Sequence, residues 1–361
     1  MSQKLKIGII GATGMVGQRF ITLLHDHPWF EIVLLAASTR SAGKTYNEAT
    51  GSRWAQETAI PKSIGSMVVV DASLVDDVAS QVDFIFCAVD MEKSAIKSLE
   101  ESYAKAEVPV ISNNSAHRWT EDVPMVIPEV NSEHIQIIDK QRKRLGTTRG
   151  FIAVKPNCSI QSYVPVIDAL KEFGPKNISI CTYQAISGAG KTFETWPEMV
   201  DNINPFIGGE EEKSESEPLK IWGSIKNGAI VKADGPLISA QCIRVPALDG
   251  HMAAVYINFD KKPSQQEMTD AWNGYTGRPQ ELDLPHAPKQ FMKYMTEADR
   301  PQTRLDRDYE GGMGITIGRL REDVQHDYKF VCLSHNTIRG AAGGAVLIAE
   351  LLKAEGYLTT K

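Results

Sequence analysis

The sequence predicts an α/β protein of two domains. A mostly parallel sheet with helices on both faces comes first, then an α+β domain on a mixed, largely antiparallel sheet. Three observations predict this. Leu5–Ile10 reads as a strand, followed directly by a glycine-rich turn and an amphipathic helix. Short apolar strand patterns then alternate with helical ones as far as Ser112. From about Ser132 the pattern changes to longer β-rich runs. The 361 residues, 42% of them hydrophobic, also exceed what one ordinary core holds. The expected division is 1–132 and 133–334, with a C-terminal helix at 335–361 returning to complete the first domain.

In the first half the glycine turn is Gly11-Ala-Thr-Gly14-Met-Val-Gly17. Its glycines allow a tight turn and close approach of a pyrophosphate, as in a Rossmann-type dinucleotide-binding domain. The spacing is G-x-x-G-x-x-G, and its place after the first strand is what gives it weight. Gly11, Thr13, Gly14, Met15 and Val16 are the expected cofactor contacts. The second strand, Glu31–Ala37, ends in Ser38-Thr-Arg-Ser41, where such folds normally place a carboxylate on the ribose. Without that carboxylate, Ser38, Arg40 and Ser41 can take a 2′-phosphate, which favours NADP over NAD. Further strands are expected at Met67–Val70, Phe84–Ala88 and Val108–Ser112. Cys87 lies at a strand's carboxyl end, where these sheets bind ligands, and is counted with the cofactor contacts. Ser112–Arg118 is a polar loop in which Arg118 is a candidate anion ligand and His117 reads as a surface histidine.

The second half opens on Phe151-Ile-Ala-Val-Lys-Pro-Asn-Cys158. The apolar run reads as a strand, and helical spacing from Ile160 to Phe173 reads as a helix, with Pro165 able to kink it or shift its start. Cys158 then stands at a strand-to-helix turn, where free N–H groups favour a thiolate. Those residues alone leave two readings open, an activated nucleophile or a small buried apolar side chain. Strands follow at Ile178–Ile186, Leu237–Val245, Met252–Phe259, Met313–Ile317 and Tyr328–Leu333. Ser187-Gly-Ala-Gly190 is a glycine turn, and the acidic run 208–217 reads by itself as solvated loop. Between two strand patterns, Arg244-Val-Pro-Ala-Leu-Asp-Gly-His251 reads as a hairpin holding Arg244 and His251 across its mouth. Asn336 opens the C-terminal helix and is expected near the cofactor.

The balance of charge excludes other classes. The net charge is −6, and the basic cluster Lys140–Arg144 reads as a solvated helix face rather than a nucleic-acid patch. The five cysteines are scattered, with no C-x-x-C pair or Cys/His metal spacing, so neither a disulfide framework nor a metal is expected. No signal-like segment precedes Leu5 and no apolar run reaches spanning length. A soluble, reduced, cytoplasmic protein is the expectation.

The ordered set of motifs is more specific than any one of them. It comprises Gly-Ala-Thr-Gly-Met-Val-Gly, Pro-Asn-Cys-Ser, Tyr183-Gln-Ala-Ile-Ser-Gly-Ala-Gly190, Glu-Glu-Glu-Lys, Arg-Val-Pro-x-x-x-Gly-His and Asn-x-x-Arg-Gly-Ala-Ala-Gly. From Lys4 to the C-terminal helix, the chain resembles the aspartate-semialdehyde dehydrogenases, most of all their archaeal and fungal branch. The resemblance implies an NADP-dependent, phosphorylating aldehyde dehydrogenase that reduces L-4-aspartyl phosphate to L-aspartate 4-semialdehyde through a Cys158 thioester. It implies that His251 is the acid/base and that Gln184 orients the acyl group. Arg244 would hold the substrate carboxylate, and Glu210 with Lys213 the amino group and phosphate, Glu211 and Glu212 leaving the register one residue open. Arg118 and Asn157 would complete the phosphate and substrate site, and Ser187, Gly188 and Asn336 would meet the cofactor. It also implies small-molecule substrates and a homodimer or homotetramer formed by the second domain. Malonyl-CoA reductase and N-acetyl-glutamyl-phosphate reductase are alternative activities on this scaffold.

Overall fold

The structure, a computed structural model, describes residues 3–361; Met1 and Ser2, which begin the expected first domain, lie outside the described residues. Six strands form the first sheet: β1 (Leu5–Ile10), β2 (Phe30–Ala37), β3 (Val70–Asp71), β4 (Phe84–Cys87), β5 (Val110–Ser112) and β6 (Ile152–Val154). Their order is β3-β2-β1-β4-β5-β6 and every pairing is parallel. Such strands are buried on both faces, which is why Ile7, Ile9, Phe84, Ile85 and Phe86 are all inaccessible. Of the third strand pattern, Met67–Val70, only Val70 lies in β3, because Met67 and Val69 instead accept the Tyr46 and Gly43 N–H groups. The sixth strand, β6, lies beyond residue 132 and pairs with β5, so the parallel sheet runs on to Val154.

The second sheet is mixed. Its strands are β7 (Pro175–Gln184), β10 (Ile238–Arg244), β11 (His251–Phe259), β12 (Met292–Met295), β13 (Ile315–Glu322) and β14 (Tyr328–Ser334), in the order β10-β7-β11-β14-β13-β12. A separate hairpin joins β8 (Ser224–Lys226) and β9 (Ala229–Val231) through Asn227-Gly228, both at positive φ. That Asn-Gly signal and β12 both escape the reading of the sequence. One expectation is overturned here. β10 and β11 are not a hairpin, because β7 lies between them, parallel to β10 and antiparallel to β11. The Pro246 turn therefore steps over the end of β7 rather than joining neighbours.

The helix expected after Cys158 is also broken. Ser159–Ser162 is a 3₁₀ turn, and an α-helix starts only at Val164, with Pro165 in its first turn. Proline lacks the N–H that an unbroken helix would need there. Conversely, the acidic run expected as loop is a helix, Glu210–Ile221, with Glu210, Ser214, Glu217 and Lys220 on its buried side.

A single apolar core links the domains. It runs from Ile85 and Val110 through Ile160 and Val164 to Ile180, Val255 and Phe330. On the other face of the parallel sheet the C-terminal helix Gly343–Ala354 packs Val346, Leu347 and Leu351 with Ile7, Phe20 and Phe86. Two buried polar junctions pin this helix. Arg339, just before it, forks onto Glu129 at 2.6 and 2.5 Å, both side chains fully buried, with Phe291 under the guanidinium. Glu350, within it, accepts from His27 Nε2 at 2.8 Å, from His286 Nδ1 at 2.6 Å and from the His286 N–H at 3.0 Å. These three residues have the types and spacing of a metal cluster. However, His27 Nδ1 accepts the Trp29 and Phe30 N–H groups, so its proton sits on Nε2 and is donated to Glu350. Hydrogen bonds account for the cluster without an ion. Among the described residues no helix is long and apolar enough to cross a membrane.

The Glu129–Arg339 pair yields a stability test. Glu129→Gln leaves a buried guanidinium without its counter-charge and is expected to cost about 3–5 kcal/mol. Glu129→Leu combined with Arg339→Met removes both charges and should cost much less. Urea unfolding of the three proteins measures the difference, and equal losses for single and double variants would show that packing, not charge, holds this junction.

Candidate active site

Strand ends build the site. Arg244 ends β10, Gln184 ends β7, His251 starts β11 and Ser334 ends β14. Arg244 pairs with Gln184, Met252 with Tyr183, and His251 with Ser334, so these residues form a row along one edge of the sheet. The hairpin expectation placed Arg244 and His251 together correctly but for the wrong reason; Gln184 stands between their strands. Cys158 reaches this row from the other sheet, four residues after β6, on a turn that packs against β11.

Cys158 Sγ lies 3.5 Å from His251 Nε2. His251 is fully buried, and its Nδ1 accepts the Ala185 N–H at 3.1 Å. The neutral ring therefore carries its proton on Nε2, on the sulfur side. Burial first, and then the Arg244 charge, hold His251 well below the usual histidine range, so the ring rests neutral. The cysteine departs from expectation. Burial, followed by the Glu210 carboxylate, pushes its thiol up, while Lys155, Arg118 and Arg244 pull it down. The 3₁₀ turn offers little helix dipole, so side-chain cations must do what the helix was expected to do.

Asn157 shapes the turn. Its Oδ1 accepts the N–H and hydroxyl of Ser159 at 2.8 and 2.7 Å, and its Nδ2 donates to both Glu210 oxygens at 3.0 Å. Glu210 also accepts from Lys213 at 2.8 Å and Gln184 at 3.3 Å. Burial opposes its charge, but Lys213, Asn157 and Gln184 together hold its carboxyl below the ordinary range. Of the three successive glutamates only Glu210 faces inward: Glu211 bonds outward to Gln241 and Cys242, and Glu212 is exposed. Arg244 Nη1 donates to the Ala185 carbonyl at 2.8 Å. Gly188 lies against this pair; a Cβ there would come within 2.8 Å of Arg244 Nη1 and 2.9 Å of His251 Nε2.

Arg118 is buried, its Nη1 on Glu217 at 2.9 Å and its Nε on the Lys155 carbonyl at 3.1 Å. The other Glu217 oxygen accepts the Asn157 N–H at 2.7 Å. Lys220, one turn on, donates to the carbonyls of Arg118, Thr120 and Val123 at 2.7 to 3.1 Å. The sequence reading missed Glu217 and Lys220. The spacing 210, 213, 217, 220 is that of one helix face, a signal visible once the acidic run is taken as helix. His117 is not a surface residue: it is fully buried, bonded to Thr120 and the Lys97 carbonyl, and burial lowers its pKa.

Beside this centre a groove of about 690 Å³ runs along the carboxyl ends of the parallel strands, lined by Gly11, Thr13, Gly14, Ser38, Arg40 and Ser41. Gly11 has φ +88°, and a Cβ there would strike the Ala88 carbonyl at 2.3 Å. Glycine there lets the turn close against the end of β4, and the β2 end offers hydroxyls and a cation; the residues fit a dinucleotide 2′-phosphate. Met15 and Val16 begin the helix Met15–Leu24 behind the turn. Cys87 stands beside the groove rather than in its lining. Its side chain is fully buried and contacts Glu100 and Asn114, while Ala88–Met91 line the groove. Asn336 is buried and used by protein: it donates to Ser187 Oγ and accepts the Gly250 N–H, both at 2.8 Å. It brackets the Ser187–Gly188 turn against the start of β11.

Comparison with known proteins gives consistent matches over the whole chain. Residues 6–138 match the family model described as semialdehyde dehydrogenase, NAD binding domain, and 164–339 match that of the semialdehyde dehydrogenase dimerisation domain. An aspartate-semialdehyde dehydrogenase of Archaeoglobus fulgidus is 42% identical over 97% of this chain and 98% of its own. One from Aspergillus fumigatus is 40% identical over 98% and 99%. Among solved structures, the Candida albicans enzyme with NADP superposes with a TM-score of 0.88 at 37% identity, covering 98% of this chain and 100% of that one. A second enzyme of this name from Vibrio cholerae, complexed with ASA, gives 0.74 at 25% identity over 98% and 100%.

Lys220 supplies the test here. Lys220→Met frees three carbonyls at once. Amide exchange across residues 117–124 should quicken by about tenfold or more, with β7 unchanged. Exchange that quickens equally in both places would mean Lys220 supports the whole domain rather than the Arg118 loop.

Proposed function

The chain belongs to the aspartate-semialdehyde dehydrogenase family, and on that footing we propose that it interconverts L-4-aspartyl phosphate and L-aspartate 4-semialdehyde with NADP(H) and phosphate. The observation that carries this reading is Cys158 Sγ at 3.5 Å from a buried His251, between Arg244 and the Arg118–Lys213 side. Cys158 is the nucleophile. Its sulfur bonds to the acyl carbon as the bond to phosphate breaks, leaving a thioester. When bound, NADPH supplies a hydride for the reduction of that thioester. With Nδ1 held by Ala185, His251 gives or takes protons at the sulfur and at the tetrahedral oxygen through Nε2 alone.

Arg244 is the group for the substrate's α-carboxylate: one nitrogen anchors on Ala185 and the planar fork stays directed by Gly188. Glu210, ionised and buried, suits the substrate ammonium, which a CoA thioester or an N-acetylated acid lacks. Lys213 and Arg118 suit phosphate, Asn157 sets the turn beneath it, and Gln184 orients the acyl group. Gly11, Thr13, Gly14, Ser38, Arg40 and Ser41 would hold NADP, with Ser187 and Gly188 on the opposite wall. We further place the protein in the cytoplasm, as a step in making aspartate-family amino acids, and as a homodimer or homotetramer. The support for assembly is the uncovered face of the second sheet, where Tyr183, Met252, Tyr256 and Val331 are all accessible.

The deciding experiment is phosphate-dependent NADP reduction with aspartate semialdehyde, malonate semialdehyde and N-acetylglutamate semialdehyde in parallel. Aspartate semialdehyde should be preferred by at least about a hundredfold in kcat/KM; preference for either rival would overturn the substrate assignment. Cys158→Ala should abolish turnover and leave NADP binding intact. Arg40→Ala should weaken NADP by roughly ten- to a hundredfold while barely changing NAD, the worth of a charge-assisted phosphate contact. Equal loss for both cofactors would remove Arg40 from the 2′-phosphate.

A further inference from the structure

Gly340 stands where the C-terminal segment meets the nucleophile. It is buried, and its backbone lies against Cys158. A Cβ on Gly340 would be 2.9 Å from Cys158 Cβ, 3.2 Å from the Cys158 carbonyl oxygen and 3.3 Å from Cys158 Cα. Its three nearest neighbours thus all belong to the cysteine. Gly340 is not at positive φ, so backbone conformation does not demand a glycine there. Contact does, because two carbons do not approach to 2.9 Å unless one of them moves.

The backbone at this point is irregular and firmly held. The Gly340 N–H donates to the His335 carbonyl at 2.9 Å, and the Ala342 N–H to that of Thr337 at 3.2 Å. Both bonds reach five residues back, so the chain makes a π-turn before the C-terminal helix begins. Arg339, next to Gly340, is forked onto buried Glu129, so the turn cannot simply swing aside. The same stretch reaches the acid/base. Ser334 pairs with His251 across β14 and β11, and Asn336 Oδ1 accepts the Gly250 N–H at 2.8 Å. Residues 334–340 therefore run from the strand partner of His251 to the floor beneath Cys158.

We propose that Gly340 is a positioning residue for the nucleophile: the space it leaves empty, on a turn tied to both partners, sets the 3.5 Å between Cys158 Sγ and His251 Nε2. A methyl group there presses on Cys158 from behind. None of its three nearest contacts is a residue assigned to the substrate carboxylate, phosphate or cofactor. The loss therefore falls on the chemical steps and not on binding.

The inference rests on Cys158 being the nucleophile, and the experiment has an arm for each. Gly340→Ala is assayed by steady-state kinetics with aspartate semialdehyde, phosphate and NADP. It should lower kcat by about ten- to a hundredfold, the effect of misplacing a reacting group by up to about 1 Å, with both KM values and the NADP affinity within about threefold. A folded Gly340→Ala enzyme with wild-type kcat overturns the proposal. So does a loss shared by kcat, both KM values and NADP affinity, which would mark general damage to the site. The contact is also read without turnover. Cys158→Gly removes the Cβ nearest to Gly340, so in that background Gly340→Ala should shift the urea midpoint by about half as much or less as it does beside the cysteine. Folding of Gly340→Ala only in the Cys158→Gly background would uphold the contact. An equal shift in both backgrounds, or failure to fold in both, overturns the proposal. Turnover that survived Cys158→Ala would instead sink the nucleophile assignment and leave the stability comparison standing.

Discussion

One carboxylate carries the geometry of the catalytic centre. Glu217 takes the Arg118 guanidinium on one oxygen and the Asn157 N–H on the other. The first bond fixes the Arg118 side chain from the parallel sheet's side. The second fixes the turn that presents Cys158. Both partners are buried, so neither can exchange Glu217 for water without leaving a polar group unsatisfied. The helix Glu210–Ile221 behaves as a key inserted between two loops, its inner face supplying charge at each turn. Lys220 secures the Arg118 loop behind it, and Glu210, bonded to Lys213, holds the Asn157 side chain ahead of it.

The site therefore belongs to neither sheet. Cys158 and Arg118 extend from the carboxyl ends of parallel strands, the usual ligand-binding edge of that fold. Arg244, Gln184 and His251 extend from the mixed sheet, where strand register, not loop conformation, sets their spacing. Placing reactive groups on strand termini of two packed sheets limits their movement to that of the shared core. Asn336 holds the Ser187 turn against the start of β11, while the groove at the ends of the parallel strands is lined by residues between Gly11 and Leu99.

What the sequence made legible follows from the range of each signal. The glycine turn, the β2 ending without a carboxylate and the Pro-Asn-Cys-Ser segment are local, and local chemistry reads directly from residue order. Register across a sheet is not local. Nothing between Arg244 and His251 reveals that β7 passes between their strands, because β7 lies some sixty residues upstream. The helix after Cys158 was overread from apolar spacing that survives in the structure as buried side chains of a broken segment; Pro165 was the correcting signal. Charge was underread. Three successive glutamates suggest solvent, yet only Glu212 of that trio is fully exposed, since the run continues as a helix with a second, buried acid seven residues after Glu210. His117 and Cys87 were misplaced for a related reason: burial of a polar or sulfur atom depends on partners, Lys97 and Glu100 here, that only the tertiary fold supplies.

The return of the C-terminal helix to the first sheet has a consequence for how the chain is made. Leu5, Ile7 and Phe20 are translated well before the surface that covers them, Val346 to Leu352. At about 5–20 residues per second, roughly 20 to 70 seconds separate the two. Through that interval this part of the sheet's face lacks the cover that Val346 to Leu352 supply. Nascent protein must therefore wait, partly assembled and apolar on one side, in the keeping of whatever holds such surfaces apart in the cell. A stop codon just before Val346 would leave Cys158, Arg244 and His251 encoded and the first domain without that cover.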